Sequence, residues 1–522
     1  MARWQRYADT ISSYSRLSAA DSLYTGTHFE SLASYLQIPF QPSDSRSDAS
    51  PVGTEPQFLS VYDMTVDNRW RVTHFRSVND FESTSWVNSS PRIIFMRGLP
   101  SPEWLLSIGV KFELDPEFFL RHLDFYKGPP YHFGYPCLPS ANECMTRLRV
   151  TTVGYYKINF SMKNSHAVVE SMQRESAGLM DAYLQKIKTR RHSRVGDSIF
   201  RDISVHDSEH FTIEQDISVY IGTYQDDWIG YIVFVWLDNG EEVSTELTQW
   251  LKESSALFRS WQTGYLPIVQ CQPGIALRTP PVSTRGRSLS TVNTPQSASW
   301  LHLNYGQSLS SDLAGKSPFY ALYQVFCFVA SSEIQFLNML QSKIEKELKS
   351  SAIVQQKNPT LSSLLYNQQV LDRHIQRIRE NVTFIQQYKN LDDYKDDDAT
   401  RLYDKVLRDF EHLLARATSL SKQCNRGMQV IMNNATIKES RKAISQAEGV
   451  AMLTRLAFLF IPLSYVSSVF GMNFAQFGQG KLSLWLWPVV SVPVFAITLL
   501  LVRFDVFDYF SGLISSTAGN MS

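Results

Sequence analysis

The sequence predicts an α+β domain followed by long stalk helices and a two-helix transmembrane hairpin, on three observations. Strand and helix patterns alternate from about residue 58 to 270, long helical patterns fill 316–455, and two apolar stretches lie near the C-terminus. The first of these is uncharged from Leu456 to Gly480 and the second from Leu482 to Val502, with Arg455, Lys481 and Arg503 at their borders. A membrane helix needs about 20 mostly apolar residues, and both stretches meet that length.

In the α+β region, Arg92–Met96, Arg147–Thr152 and Trp228–Trp236 are β-branched and aromatic runs that read as strands. Ser101-Pro102 and Asp115-Pro116 each put proline at the first turn after a capping residue, so each opens a helix. The segment 1–57 reads as largely disordered, because Gln41–Gln57 is dense in Ser, Asp and Pro. Arg3, Arg6 and Arg16 against Asp9 give its first 18 residues a weak mitochondrial flavour, and no apolar signal-peptide core follows. Residues 271–315 are rich in Ser, Thr and Pro and read as a solvated linker or loop.

The stalk pattern begins with a helix over about Pro318–Ser350, and a second group starts near Leu361. The acidic run Asp392–Asp398 reads as a helix–helix turn, since carboxylates adjacent in sequence do not converge on a metal without a dedicated loop. From Thr400, Leu402, Val406, Phe410, Leu413, Ala417, Leu420, Cys424, Met428 and Ile431 repeat every three or four residues, which is one helical face. No proline occurs from Thr400 to Ile461, so one helix of roughly 100 Å can run into the first span. The expected divisions are therefore 58–270 (α/β), 316–455 (stalk), 456–473 (first span), 474–481 (external loop), 482–502 (second span) and 503–522 (tail).

Composition excludes several functions. Fifty basic and fifty acidic residues balance, which gives no footprint for nucleic acid. The five cysteines contain no C-x-x-C pair and suit a reducing compartment. His122, His132, His192 and the other histidines lack metalloenzyme spacing, and no Gly-rich phosphate loop occurs, so an enzyme with a resident cofactor is not expected. The basic run Lys186–Arg194 reads as a solvated loop.

The stretch Leu453–Asn473, with its Pro462-Leu463-Ser464 and Gly471-Met472-Asn473 elements, resembles the first transmembrane helix of the CorA-type magnesium channels. Leu114–Phe119 also looks like that family's cytosolic domain. The resemblance implies a funnel-shaped homopentamer in the lipid bilayer. Each chain would contribute a pore helix, and the Gly471, Met472 and Asn473 elements would form the selectivity filter. Its cargo would be Mg2+ or a related divalent cation. The physics of the motif agrees. Magnesium gives up its waters reluctantly, so neutral Asn473 amides suit recognition of the hydrated ion without trapping it. Gly471 permits close backbone approach.

Helical spacing upstream of Asn473 puts Ser468, Ser464, Ile461, Ala457, Leu453, Val450 and Ala447 roughly on one face, and the resemblance makes that face the pore lining. Small residues also line ordinary membrane helix seams, so a packing seam is the competing reading. Pro462 frees the Phe458 carbonyl, which a wet lumen could satisfy. The stalk stripe and the uncharged pore face both need neighbours, and a closed ring of copies would supply them.

Three departures from the family's pattern bear on function. The loop Phe474–Lys481 has no acidic residue to gather cations, the tail carries Asp505 and Asp508, and no acid lies from His412 to Lys438 to serve a cytosolic magnesium sensor near Thr436. Lys438, Arg441, Lys442 and Arg455 then orient the chain with both termini in the cytosol. The plasma membrane is expected, with the mitochondrial inner membrane or vacuole as alternatives. A zinc, nickel or cobalt transporter of the same architecture, or a membrane-anchored scaffold, are the competing functions.

Overall fold

A computed structural model describes residues 1–18, 20, 22–41, 57–65, 69–85, 90–124, 138, 143–157, 166–189, 195–223, 231–240, 262–270, 297–303, 305–306, 309–353, 359–391, 397–471 and 483–503. Most of 41–57, most of the 271–315 linker, the middle of the acidic run, the 474–481 loop and the tail beyond Arg503 lie outside them. The chain divides into two units, Met1–Gly427 and Met428–Ser522.

The first unit is built on one sheet. Its strands are β1 (Leu59–Met64), β2 (Trp70–Phe75), β3 (Arg92–Arg97), β4 (Met145–Lys157), β5 (Asp202–Val205), β6 (His210–Thr223), β7 (Tyr231–Leu237) and β8 (Gln262–Tyr265). Their order is β2-β1-β3-β7-β6-β4-β8, with β5 also on β6. The β3–β7 pair is parallel, with Arg92 opposite Ile232, and both strands are buried along their whole length. Near-continuous apolar runs of this kind belong to strands covered on both faces.

The early helices are α1 (Ala2–Ser15), α2 (Glu30–Leu36), α3 (Val78–Ser83), α4 (Pro102–Phe112) and α5 (Pro116–His122). Two of them start where the sequence places them: Ser101 Oγ accepts from the Trp104 amide and Asp115 Oδ1 from the Glu117 amide, with Pro at the first turn of each. Residues 2–15 and 30–36 depart from the expectation of a largely disordered 1–57. Ala8, Ile11, Leu32, Ala33, Tyr35 and Leu36 join the core of α4 and the sheet, and Tyr7 Oη donates to the Leu114 carbonyl at 2.9 Å. The apolar positions of these short helices have a surface to bury against, which composition alone does not reveal. A further helix, α6 (His166–Thr189), places Met172 and Met180 against Phe200, Ile203 and Phe211 in a separate core.

Between β4 and β6 the alternation of strand side chains puts polar groups on one buried face. Arg149 is opposite Asp216, and Thr151 opposite Glu214. Arg149 reaches Glu214 at 2.7 Å and Asp216 at 2.5 Å, while Arg201 reaches Asp238 at 2.6 Å and Asp124 at 2.7 Å. His122 stacks on Trp236 at 3.8 Å, and its ring nitrogens meet Ser218 Oγ at 2.8 Å and Asp238 Oδ1 at 3.1 Å. Burial pushes the His122 pKa down. For Asp238 burial pushes up, but Arg201 and His122 outweigh it and bring the value to about 2.

The helices that follow are α7 (Ser311–Lys316), α8 (Pro318–Ile353), α9 (Pro359–Leu391) and α10 (Asp397–Gly471). Ser332 of α8 accepts from the Thr151 amide and donates to the Thr151 carbonyl, each at 2.8 Å, which fastens the helix to β4. From α9, His374 lies between Glu333 at 2.8 Å and Glu214 at 3.3 Å, and Arg377 pairs with Glu214. The stripe predicted on α10 is covered by the chain's own α8 and α9, so its burial needs no second copy. Phe319 stacks on Tyr403 at 3.9 Å, Phe326 meets Phe410 edge-on, and Val406, Phe410, Leu413, Ala417, Leu420 and Cys424 are buried. A Cβ on Gly427 would come 2.4 Å from Leu348 Cδ2 and 3.2 Å from Leu364 Cδ1, so the three helices meet closely there.

The second unit holds the rest of α10 and α11 (Leu486–Arg503). Among the described residues α10 is the one helix long and apolar enough to cross a membrane; the apolar part of α11, Leu486–Leu500, is shorter.

His374 supplies a testable consequence. Burial pushes its pKa down, but Glu333 and Glu214 outweigh that and raise it from 6.5 to about 9. A raised folded value means the contribution to stability is complete below pH 6.5 and disappears as pH climbs through about 9. His206, buried and brought down to about 4, acts with the opposite sign and below 6.5. The thermal midpoint of the full-length protein in detergent should therefore fall between pH 6.5 and 9. His374→Gln should remove that part of the pH dependence and, by leaving two buried carboxylates facing one another, cost roughly 3–5 kcal/mol. A variant with parental stability and parental pH dependence would show that the histidine carries no charge.

Candidate functional site

Membrane-length apolarity in α10 coincides with the face carrying the predicted pore residues. In the single chain, Leu459, Pro462, Leu463, Ser467 and Phe470 are half-buried and Val466 is buried, all on one side of the helix. On α11, Val490, Val494, Phe495 and Thr498 are half-buried and Ser491 is buried, again along one side. A direct bond joins the two helices, from Trp487 Nε1 to Ser467 Oγ at 3.2 Å. Trp487 and Ser467 carry no sequence motif, and the small residue one turn before Gly471 is the only signal that could have pointed to them.

Ala447, Val450, Leu453, Ala457, Ile461, Ser464, Ser468 and Gly471 are all exposed in the chain. With about 100° per residue, their face points about 150° away from the side that meets α11. The predicted pore residues thus share one uncovered face. Exposures of 62% at Val450, 69% at Leu453 and 64% at Ile461 are high for aliphatic side chains, and an apolar stripe of this kind calls for lipid or another protein surface.

The chemistry of this face is neutral. Ser464 Oγ donates to the Ile461 carbonyl at 2.9 Å, which leaves its oxygen lone pairs as acceptors. Pro462 stands inside the helix and withholds the usual amide donor from the Phe458 carbonyl. Among the described residues, no group of three or more His, Cys, Asp or Glu could hold a metal ion. Gly471 is the last residue of α10, while Met472 and Asn473 lie outside the described residues. Lys438, Arg441, Lys442 and Arg455 are exposed on the same helix before its apolar part.

Residues 291–504 match the family described as CorA-like Mg2+ transporter protein. Among solved structures, the complete CorA magnesium transporter from Methanocaldococcus jannaschii is 11% identical, with 85% of this chain and 97% of that chain covered and a TM-score of 0.35. The full-length CmaX protein is also 11% identical, covering 87% of this chain and 98% of that one, with a TM-score of 0.35. No curated protein matches the chain. Residues 291–504, which hold α7 to α11 and the Gly471-Met472-Asn473 motif, are thus the part of the chain that is similar to the CorA-like Mg2+ transporter family.

Proposed function

We propose that the protein is a divalent-cation channel that passes Mg2+ through a pore lined by α10 in a homopentamer, with Gly471, Met472 and Asn473 as its filter. The observation that carries this reading is the uncovered, uncharged face of α10. It turns away from α11 and leads to Gly471, so copies arranged around an axis can line a conduit with it while each α11 stays outside. Lipid would cover the aliphatic residues of that face but offers no donor to the Ser464 and Ser468 hydroxyl oxygens; a water-filled lumen serves both kinds of residue.

In this reading the lining gives a hydrated ion little to bind. Ser464 and Ser468 offer hydroxyl oxygens, and Ile461, Ala457, Leu453 and Val450 make an apolar constriction that can close by dewetting. The C-terminal carbonyls of each α10 carry about half a negative charge, and their convergence at the mouth attracts cations where no acidic residue stands from Phe474 to Lys481. Asn473 amides then accept hydrogen bonds from the waters of Mg2+. In the sequence the apolar stretch that ends in α11 begins at Leu482 and reaches membrane length, so the chain crosses twice and both termini stay in the cytosol, with the plasma membrane as the proposed location.

In liposomes, Asn473→Ala should abolish Mg2+ uptake while assembly persists, and Ser464→Ala should lower it only in part, because water and backbone replace a single hydroxyl. Parental uptake by Asn473→Ala would remove the filter from the reading, and faster uptake of zinc, nickel or cobalt than of magnesium by the parent would reassign the cargo.

Intact-mass measurement in nanodiscs should give five chains per particle. A monomer or dimer as the sole species would leave the α10 face facing lipid and exclude the conduit.

A further inference from the structure

We propose that Trp487 is a positioning residue for the ion path: its indole N–H, by holding the Ser467 hydroxyl, fixes the last turn of α10 from which Met472 and Asn473 extend. This rests on the reading of Gly471-Met472-Asn473 as the filter. Trp487 lies in the first turn of α11, and Ser467 lies four residues before the end of α10. The 3.2 Å bond between them therefore holds the start of α11 against the last two turns of α10.

The bond lies at the edge of a contact face, with Trp487 itself 36% exposed. Val466, adjacent to Ser467, is 9% exposed, and Ser491, one turn beyond Trp487, is 4% exposed. An indole N–H is a donor with no acceptor function, and Ser467 Oγ is the oxygen it meets. Ser467 and Ser468 are consecutive on a rigid helix. A shift or rotation of that turn at Ser467 therefore moves Ser468 on the open face and Gly471 at its end by a similar amount. The bond sits on the α11 side of the helix and touches no ion, so it acts on conduction only through the placement of those residues.

The test separates loss of the bond from loss of the hairpin. Trp487→Phe keeps an aromatic ring and removes the donor, Ser467→Ala removes the acceptor, and Ser467→Thr keeps a hydroxyl. Interhelical hydrogen bonds in membranes are modest, so Trp487→Phe and Ser467→Ala should each lower Mg2+ uptake about threefold to tenfold per assembled particle. Each should also change the ratio of Mg2+ to Ni2+ uptake, the double variant should be no worse than the worse single one, and Ser467→Thr should restore rate and ratio. Trp485→Phe, at a ring 77% exposed, is the control and should behave as the parent. Parental rate and ratio in Trp487→Phe, or losses that multiply in the double variant, would overturn the proposal. Hydrogen exchange at the Trp487 indole, assigned by its disappearance in Trp487→Phe, is read without transport: it should be slow in the parent and fast in Ser467→Ala. Equal exchange rates sink the clasp whatever the uptake shows. A parent that carries no divalent ion sinks the channel reading, and with it the positioning role, even where slow exchange establishes the bond.

Discussion

Glu214 in the middle of β6 is fully buried, and the packing of the long helices on the sheet depends on keeping it charged. Burial pushes its carboxyl up, but the adjacent His374 ring and the charges of Arg149 and Arg377 outweigh that and hold it well below the ordinary range. Those partners come from two different elements, Arg149 from β4 and the other two from α9, while Glu333 of α8 holds the far side of His374. Such a network returns little net stability over an apolar core, yet removing one member strands the rest. It therefore acts as a register: α8 and α9 have one placement on the sheet in which every charge is met.

That placement decides where α10 is supported. Aromatic contacts from Phe319 and Phe326, and the close approach at Gly427, cover the stripe of α10 up to Cys424 within the chain. Beyond Met428 the same helix has a different environment. From Met432 to Phe458 every residue is exposed, and cover returns only where α11 lies alongside, from Leu459 to Phe470. A single helix thus presents three kinds of surface in succession: one satisfied by its own domain, one open, and one divided between α11 and an open face.

Much of this was legible in the residues. The period of Leu402 to Cys424 marks the supported stripe because burial against any neighbour selects apolar residues at helical spacing. Ser101-Pro102 and Asp115-Pro116 mark helix starts because capping chemistry is local. The buried charges escaped, since Arg149, Asp216, Glu214, His374 and Glu333 lie in separate segments and nothing in their spacing says that they meet. The helices of residues 2–15 and 30–36 escaped for a related reason: short amphipathic segments are stable only against a surface, and that surface is supplied by α4 and the sheet.

By itself the sequence determined the membrane-length apolar stretches, the helix that carries Ser464 and Ser468 toward Gly471-Met472-Asn473, and the family these residues resemble. Those are properties of composition and period, fixed along the chain. Only the tertiary structure decided which side of α10 is free. Helical spacing groups Val450, Leu453, Ala457, Ile461, Ser464 and Ser468 on one face but cannot say whether that face meets α11 or looks away from it. Packing of Val466 and Ser467 against α11, with Trp487 bonded across, settles the question, because a helix that buries one side must present the other to whatever lies outside the chain.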